Sequence, residues 1–532
     1  MIGLVASGDE LGIAAEFFEL FKTPWELARQ GKPYRALICT DGTYRLPDAP
    51  VTIRYGSARQ QMDDETGVAV GSAHGIVAID PASGMLPLYT HAALFDRSRD
   101  STLTWQGKAL TYCVDRGEQR HWRVGYDLFA EVGHLLTHGQ PVEHARIPTL
   151  DHHIDRLRAT LVDSGVPVVE VPPVPFNHAF ACCLTHDVDF FGIRRHGLDA
   201  TMAGFIGRAT AGSVVDFVRR RRPVRDVARN VAAALSLPLV LLGARSDFWD
   251  PVAQYATANG GRPATFFVVP TRNHPGTAPD GVVHRGRAVR YEAADVSPRL
   301  RAAVAAGHEV ALHGLDAWRD TQSASSELAR VARASGSASR GVRMHWLYFD
   351  ADSPARLDAA GFDYDSTRGY NEDVGFRTGT TQAFRAPGCM ELMELPLSIM
   401  DTALFFPQRL GLSPTEGLER CAPLLEHAGR VGGALVVNWH DRSLAPERLW
   451  YEAYAHLLAE VDRRNAWYAT AGDTVAWFRW RRAIRFEADG DALIVQADPA
   501  SGRLPGAAVR VHGRTSVTEH RLDAGDSLRL TA

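Results

Sequence analysis

The stretch Phe180-Ala181-Cys182-Cys183-Leu184-Thr185-His186-Asp187-Val188-Asp189 decides the fold. Its first five residues are apolar without alternation, the pattern of a parallel strand covered by helices on both faces. The next five turn polar and end in two carboxylates two residues apart, which share one face of an extended segment. One carboxylate can bind a cation while its neighbour stays free to take a proton. Active sites of β/α barrels assemble from such strand ends.

The same pattern recurs downstream. Apolar strands are predicted at Ala264-Thr265-Phe266-Phe267-Val268-Val269, at Glu309-Val310-Ala311-Leu312-His313 and at Ala434-Leu435-Val436-Val437-Asn438. Helical stretches separate them, so the chain from about 178 to 480 reads as β-α units forming a barrel or a doubly wound sheet. Three more polar clusters mark strand ends. His313 closes its strand, and Gly314 allows a turn. Arg343 and His345 in Val342-Arg343-Met344-His345-Trp346 share strand parity. His440 follows Val437-Asn438-Trp439. Each cluster alone has an ordinary structural explanation, since Asp also caps helices; the ordered series is what points to chemistry.

The chain around this unit divides into further parts. Residues 1–170 read as an α/β domain, with strands at 2–6, 36–39, 51–55 and 76–79 and a helix from about 126 to 136. Pro172, Pro173 and Pro175 mark the boundary. The barrel unit spans 171–482 and carries a basic helical insertion near 195–250. Residues 483–532 read as a small antiparallel β domain, with a hairpin turn at Asp489-Gly490-Asp491. In the insertion, Arg219, Arg220, Arg221, Arg222, Arg225 and Arg229 crowd beside Val214, Val215, Phe217 and Val218. A basic cluster beside an apolar segment can bind an anionic membrane surface, although a solvated helix with one buried face is the plainer reading.

Composition narrows the classes. The 532 residues are 45% hydrophobic and 23% charged, the balance of a globular chain, and exclude a disordered or collagen-like one. With 58 basic residues against 62 acidic, the net charge of −4 argues against nucleic-acid binding. Six cysteines without a C-x-x-C pair suit reduced thiols, and the first ten residues lack a secretion signal's basic start, so a cytoplasmic location is expected, with contact at the inner membrane face. The apolar run 232–244 contains Pro238 and falls short of the roughly 20 residues that span a bilayer. The 21 histidines are the composition's one pointer to metal or acid–base chemistry.

The ordered motifs resemble the NodB-homology polysaccharide deacetylases, carbohydrate esterase family 4, in a D-x-D variant. Thr185-His186-Asp187-Val188-Asp189 is similar to the first motif, Gly307-His308-Glu309 through His313 to the second, and Arg343 stands where the third-motif arginine does. Gly361-Phe362-Asp363-Tyr364-Asp365 resembles the fourth region and Val437-Asn438-Trp439-His440-Asp441 the fifth. Residues around Glu16-Phe17-Phe18-Glu19 resemble an uncharacterised domain that precedes such barrels.

The resemblance implies an α/β fold with a distorted (β/α) barrel, and metal-dependent removal of an N-acyl group from an amino sugar. Asp187 would be the general base, Asp189 and His313 metal ligands, Arg343 the partner that keeps Asp187 ionised, and His440 the general acid. The divalent metal would be Zn²⁺. The family carries a second histidine four residues after the first; here that position is Ala317. Asp316 in the same turn and His345 beyond Arg343 are the candidates for the missing ligand, and His345 is preferred. Trp318, Arg377 and Trp439 are candidate substrate contacts, with Trp346 and Tyr348 as further aromatics. The expected substrate is an N-acetylated sugar in a glycan, a sugar nucleotide or a lipid-linked precursor. A deformylase of the same mechanism, or a barrel that has lost catalysis and serves as a carbohydrate-binding scaffold, are the competing expectations.

Overall fold

The computed structural model describes residues 1–40, 48–96, 102–197, 199–220, 223–500 and 504–531. Arg221 and Arg222 of the basic cluster lie outside them. No helix among the described residues is long and apolar enough to cross a membrane.

A ten-stranded sheet forms the centre. Its longest strand, Ala181–Val188, is buried at every residue, as its unbroken apolar start requires. Ala264–Val268 pairs parallel on one side of it and Ala434–Asn438 on the other. Glu309–Gly314, Gly341–Met344, Tyr364–Asp365 and Met393–Glu394 follow outward in parallel, and Phe384–Arg385 ends that side antiparallel. Ile399–Met400 ends the other side. The sheet curls, but among the described residues its two outer strands do not pair, so the expected barrel stays open. Between 365 and 434 the chain makes only two-residue strands, interrupted by Gly369, Gly375, Gly379, Pro387 and Gly388. Such pieces are too short to complete a closed hydrogen-bonded cylinder.

Register lines up the polar strand ends. Asp187 sits opposite Phe267 and Phe267 opposite Ala311. His313 sits opposite Arg343, and Thr185 opposite Asn438. Gly314 is the last residue of its strand rather than a turn residue. Its missing side chain makes room for Met344, because a Cβ there would lie 2.6 Å from the Met344 sulfur.

The N-terminal region is a second α/β unit. Its six-stranded sheet runs Trp25–Leu27, Ile2–Val5, Ala36–Cys39, Val51–Tyr55, Gln119–Val124, Thr111–Arg116. The helices Leu11–Phe21, Leu128–Thr137 and Thr149–Asp163 supply its core with Phe17, Phe18, Leu135 and Leu157. The expected strand at 76–79 is part of the longer hairpin Val70–Asp80 and Gly84–Phe95. This unit is sewn to the central one. Arg482 pairs with Glu16 through hydrogen bonds of 2.7 and 2.8 Å. Buried Arg481 donates to the carbonyls of Glu19, Leu20 and Val171. Glu16 also accepts the backbone N–H of Arg385 on the outer strand, and Phe384 packs into the N-terminal core.

The C-terminal strands form two three-stranded antiparallel sheets. Arg485–Asp489, Ala492–Gln496 and Ser527–Thr531 make one. Ala507–His512 and Val517–Leu522 make the other, completed by Val168–Glu170 from far upstream. The insertion is helical, through Ala200–Gly207, a π-helical segment at 208–212, Ser213–Val218 and Val224–Leu241.

Candidate active site

The buried Ala181–Val188 strand carries Asp187 to the sheet's C-terminal edge, where Arg343 meets it. Arg343 is fully buried, and its Nη1 donates to Asp187 Oδ1 at 2.9 Å and to Thr185 Oγ at 2.8 Å. Its Nε and Nη2 donate to the carbonyl and hydroxyl of Ser366 at 3.0 and 2.9 Å. The guanidinium also lies over the Phe267 ring at 4.4 Å. Asn438 holds the other carboxylate oxygen, with Nδ2 donating to Oδ2 at 2.7 Å. Burial pushes the Asp187 carboxyl up, but Arg343, His313 and His440 together hold it below its ordinary range. Asp187 is therefore a buried carboxylate that stays ionised.

Two residues on, Asp189 Oδ1 lies 3.4 Å from Nε2 of both His313 and His345. One ligand atom from each of these three residues lies within 4.8 Å of the others. The Nδ1 of His313 lies 3.0 Å from the Arg343 carbonyl, a bond that fixes the ring and leaves Nε2 turned to Asp189. Asp189 Oδ1 is shut off from solvent yet accepts no hydrogen bond. A buried carboxylate oxygen without a donor, faced by two imidazole nitrogens, is a donor set that suits a divalent cation. Burial opposes charge on all three groups. It pushes His345 down to about 4, whereas the neighbouring aspartates raise His313 and the histidines hold Asp189 low.

Asp316, the alternative third ligand, is turned elsewhere. Its carboxylate meets His274 Nε2 at 2.6 Å and the Thr277 N–H at 2.9 Å. Ala317 is buried in the core.

His440 stands across the same cavity. Its Nδ1 lies 2.6 Å from Asp401 Oδ1, and its backbone N–H donates to Asp401 Oδ2 at 2.7 Å. Ser443 donates its hydroxyl to the same carboxylate. Burial lowers the imidazole, but Asp401 outweighs it and raises His440 to about 9. The neighbouring Asp441 is pushed up to about 7 by burial, partly offset by Arg442.

Asp187, Asp189, His313, His345 and His440 line one cavity of about 600 Å³. Phe190, Trp346 and Phe406 supply its aromatic wall, and Arg287 stacks over Trp346 at 4.0 Å. The three expected substrate contacts do not line it. Trp439 is 1% exposed and packs between Phe405 and Tyr454. Trp318 is buried in the core. Arg377 donates to the carbonyls of Gln140 and His138, tying the N-terminal unit on. Residue type suggested sugar stacking, but depth in the core decides otherwise for both tryptophans. His186, inside the first motif, is structural: it stacks on Tyr255 at 3.5 Å and bonds the Trp439 carbonyl.

Asp401 and Asn438 were without an expected role. Asn438 lies within Val437-Asn438-Trp439-His440-Asp441, at the end of the apolar strand Ala434–Asn438. Asp401 had only the apolar pair Ile399-Met400 before it as a signal.

No protein-family profile matches the sequence, and no curated protein matches it. Solved structures do. A protein assigned as a polysaccharide deacetylase from Mycobacterium smegmatis is 21% identical over 58% of this chain and 94% of its own, with a TM-score of 0.35. The carbohydrate deacetylase Agd3 is 9% identical over 99% of this chain and 97% of its own, also at 0.35. Puue allantoinase is 14% identical over 57% and 92%, at 0.34.

Proposed function

We propose that the chain is a metal-dependent N-deacetylase acting on an N-acetylated amino sugar, with its chemistry in residues 171–482. The observation that carries this is the convergence on one cavity of three kinds of group. These are the Asp189, His313 and His345 cluster, the ionised Asp187 held by Arg343, and the protonated His440 held by Asp401.

A divalent cation bound there, Zn²⁺ by its preference for nitrogen and carboxylate ligands, would supply Lewis-acid polarisation of the amide carbonyl and acidify water. Asp189, His313 and His345 would hold it. Asp187 accepts the proton of the attacking water, and Asn438 keeps the plane of that carboxylate fixed. Arg343 prevents Asp187 from picking up a proton from solvent beforehand. His440, with Nδ1 committed to Asp401, delivers a proton from Nε2 to the departing amine nitrogen. Water is consumed, the C–N bond breaks, and acetate and a free amine leave. The cavity volume, near 600 Å³, is of the size that takes a sugar residue.

The test is acetate release from N-acetylglucosamine oligomers by protein loaded with Zn²⁺. Activity that is abolished by Asp187→Asn and by His313→Ala supports the assignment. Acetate release that survives both substitutions overturns it, as does a protein that binds no zinc at saturation.

A further inference from the structure

The helical insertion has a solvent face of the wrong kind for water. Along Val224–Leu241 and the residue after it, positions 224, 228, 232, 235, 239 and 242 are exposed. They follow one another at intervals of three and four, so they form one stripe along the helix. Every residue in that stripe is Val, Ala or Leu. Val224 is 66% exposed, Leu235 76% and Leu242 81%. A surface helix normally turns such a stripe to the core. Here the core-facing side is already used: Leu237 and Val240 pack with Ile193, Phe205 and Trp249 in a small core of their own. The outward stripe is therefore a second apolar face. The helix Ser213–Val218, packed beside it, extends the patch with Phe217 and with Val218, 74% exposed. Half of the large hydrophobic residues that stand exposed in the described chain, ten of twenty, fall between Ile206 and Leu242. So dense a patch is beyond the scattered exposure of an ordinary surface.

Its charge says what covers it. Residues 200–245 hold eight arginines, no lysine and two aspartates, while the whole chain has a net charge of −4. The basic excess is thus local and opposite in sign to the rest of the molecule. Arg219, Arg220 and Arg229 are exposed beside the apolar stripe, and none of them forms an ion pair among the described residues. Apolar side chains flanked by unpaired guanidinium groups match a layer of acyl chains beneath anionic headgroups.

We infer that this insertion docks the protein on the surface of an anionic lipid bilayer, apolar stripe inward and arginines at headgroup level. The start of the same insertion forms part of the wall of the cavity described above. Asp199, Ala200 and Thr201, at the start of the insertion, line that cavity. Arg442, also in its lining, stacks at 3.7 Å on Phe190, which packs against Trp249 of the insertion's small core. The inference is independent of the reaction proposed for the cavity.

The experiment is co-sedimentation of the full chain with vesicles of phosphatidylcholine, with and without phosphatidylglycerol. Binding to the phosphatidylglycerol vesicles alone, weakened by raised salt, is expected. The triple variant Leu235→Ser, Leu239→Ser, Leu242→Ser and the triple variant Arg219→Glu, Arg220→Glu, Arg229→Glu are each expected to lose at least about tenfold in vesicle partitioning, since each arginine and each buried leucine contributes separately. Both variants keep acetate release from a water-soluble substrate at the wild-type rate if the deacetylase assignment is right, so the two proposals fail separately. Wild-type protein that ignores anionic vesicles overturns the inference, as does binding that both variants retain. A concentration-dependent dimer that the leucine variant dissolves, without any vesicle binding, overturns it too and assigns the patch to a second copy.

Discussion

Nδ1 of His440 lies 2.6 Å from Oδ1 of Asp401, and the same carboxylate takes the backbone N–H of His440 and the hydroxyl of Ser443. The aspartate therefore fixes the ring's tilt, its tautomer and its charge together. Against burial, it raises the imidazole to about 9. In Asp401→Asn the imidazole is expected to fall to or below the ordinary value of about 6.5. The alkaline limb of the pH–rate profile should move down with it, and the rate at pH 8 should drop roughly 10- to 100-fold. The raised pKa also sets a stability trend. The pair stabilises the fold fully below about pH 6.5 and loses its effect as pH rises through 9. Thermal melts of wild type and variant across that window should converge at the alkaline end.

Arg343→Lys removes a fork that meets Asp187, Thr185 and Ser366 at once. A lysine cannot satisfy all of these buried partners. Urea unfolding is expected to show a loss of about 3 kcal/mol. Because Arg343 is what holds the Asp187 carboxyl low against burial, the acid limb of the rate profile should move up in this variant. Its rate should therefore fall further at pH 5 than at pH 7; a uniform loss would assign Arg343 to scaffolding alone.

Metal titration separates the two candidates for the third ligand. His345→Ala should weaken Zn²⁺ binding by about 100-fold or more, because even an outer-shell partner is worth 10- to 100-fold. Asp316→Asn should leave zinc affinity unchanged, since its carboxylate is engaged by His274 and Thr277. The reverse order of effects would return Asp316 to the site.

Arg377→Ala is expected to leave KM unchanged. Its guanidinium holds backbone carbonyls of Gln140 and His138, so the cost should be in stability, by about 1–3 kcal/mol in denaturant unfolding.

The chemistry at strand ends was legible because two signals coincide there: an apolar run that must be buried, then a charged residue where the run stops. Asp187, Asp189, His313 and His440 follow that rule; Arg343, inside the short strand Gly341–Met344 with one apolar residue before it, is legible only through the motif it resembles. Asp401 does not follow the rule. Its partner is 39 residues away, and only the parallel pairing of Ile399 with Val437 and Met400 with Asn438 brings them together. A two-residue strand leaves no periodicity to read. Val168–Glu170 escaped for a related reason, since its pairing partner Ala507–His512 lies about 340 residues further along the chain. Trp318 and Trp439 show the opposite failure, where a residue type that suits sugar rings also suits a core.

Among the described residues the outer strand Phe384–Arg385 has no further partner strand on its free side, and Glu16 takes the Arg385 N–H at 2.9 Å while Phe384 is buried among N-terminal side chains. An unpaired strand edge is a template on which another chain can add itself. The N-terminal unit thus covers this edge with a side chain and a core. A fragment trimmed to residues 171–482 would keep every side chain that does chemistry, yet bare this edge and an aromatic ring beside it. Its solubility would then be governed by residues that never touch a substrate.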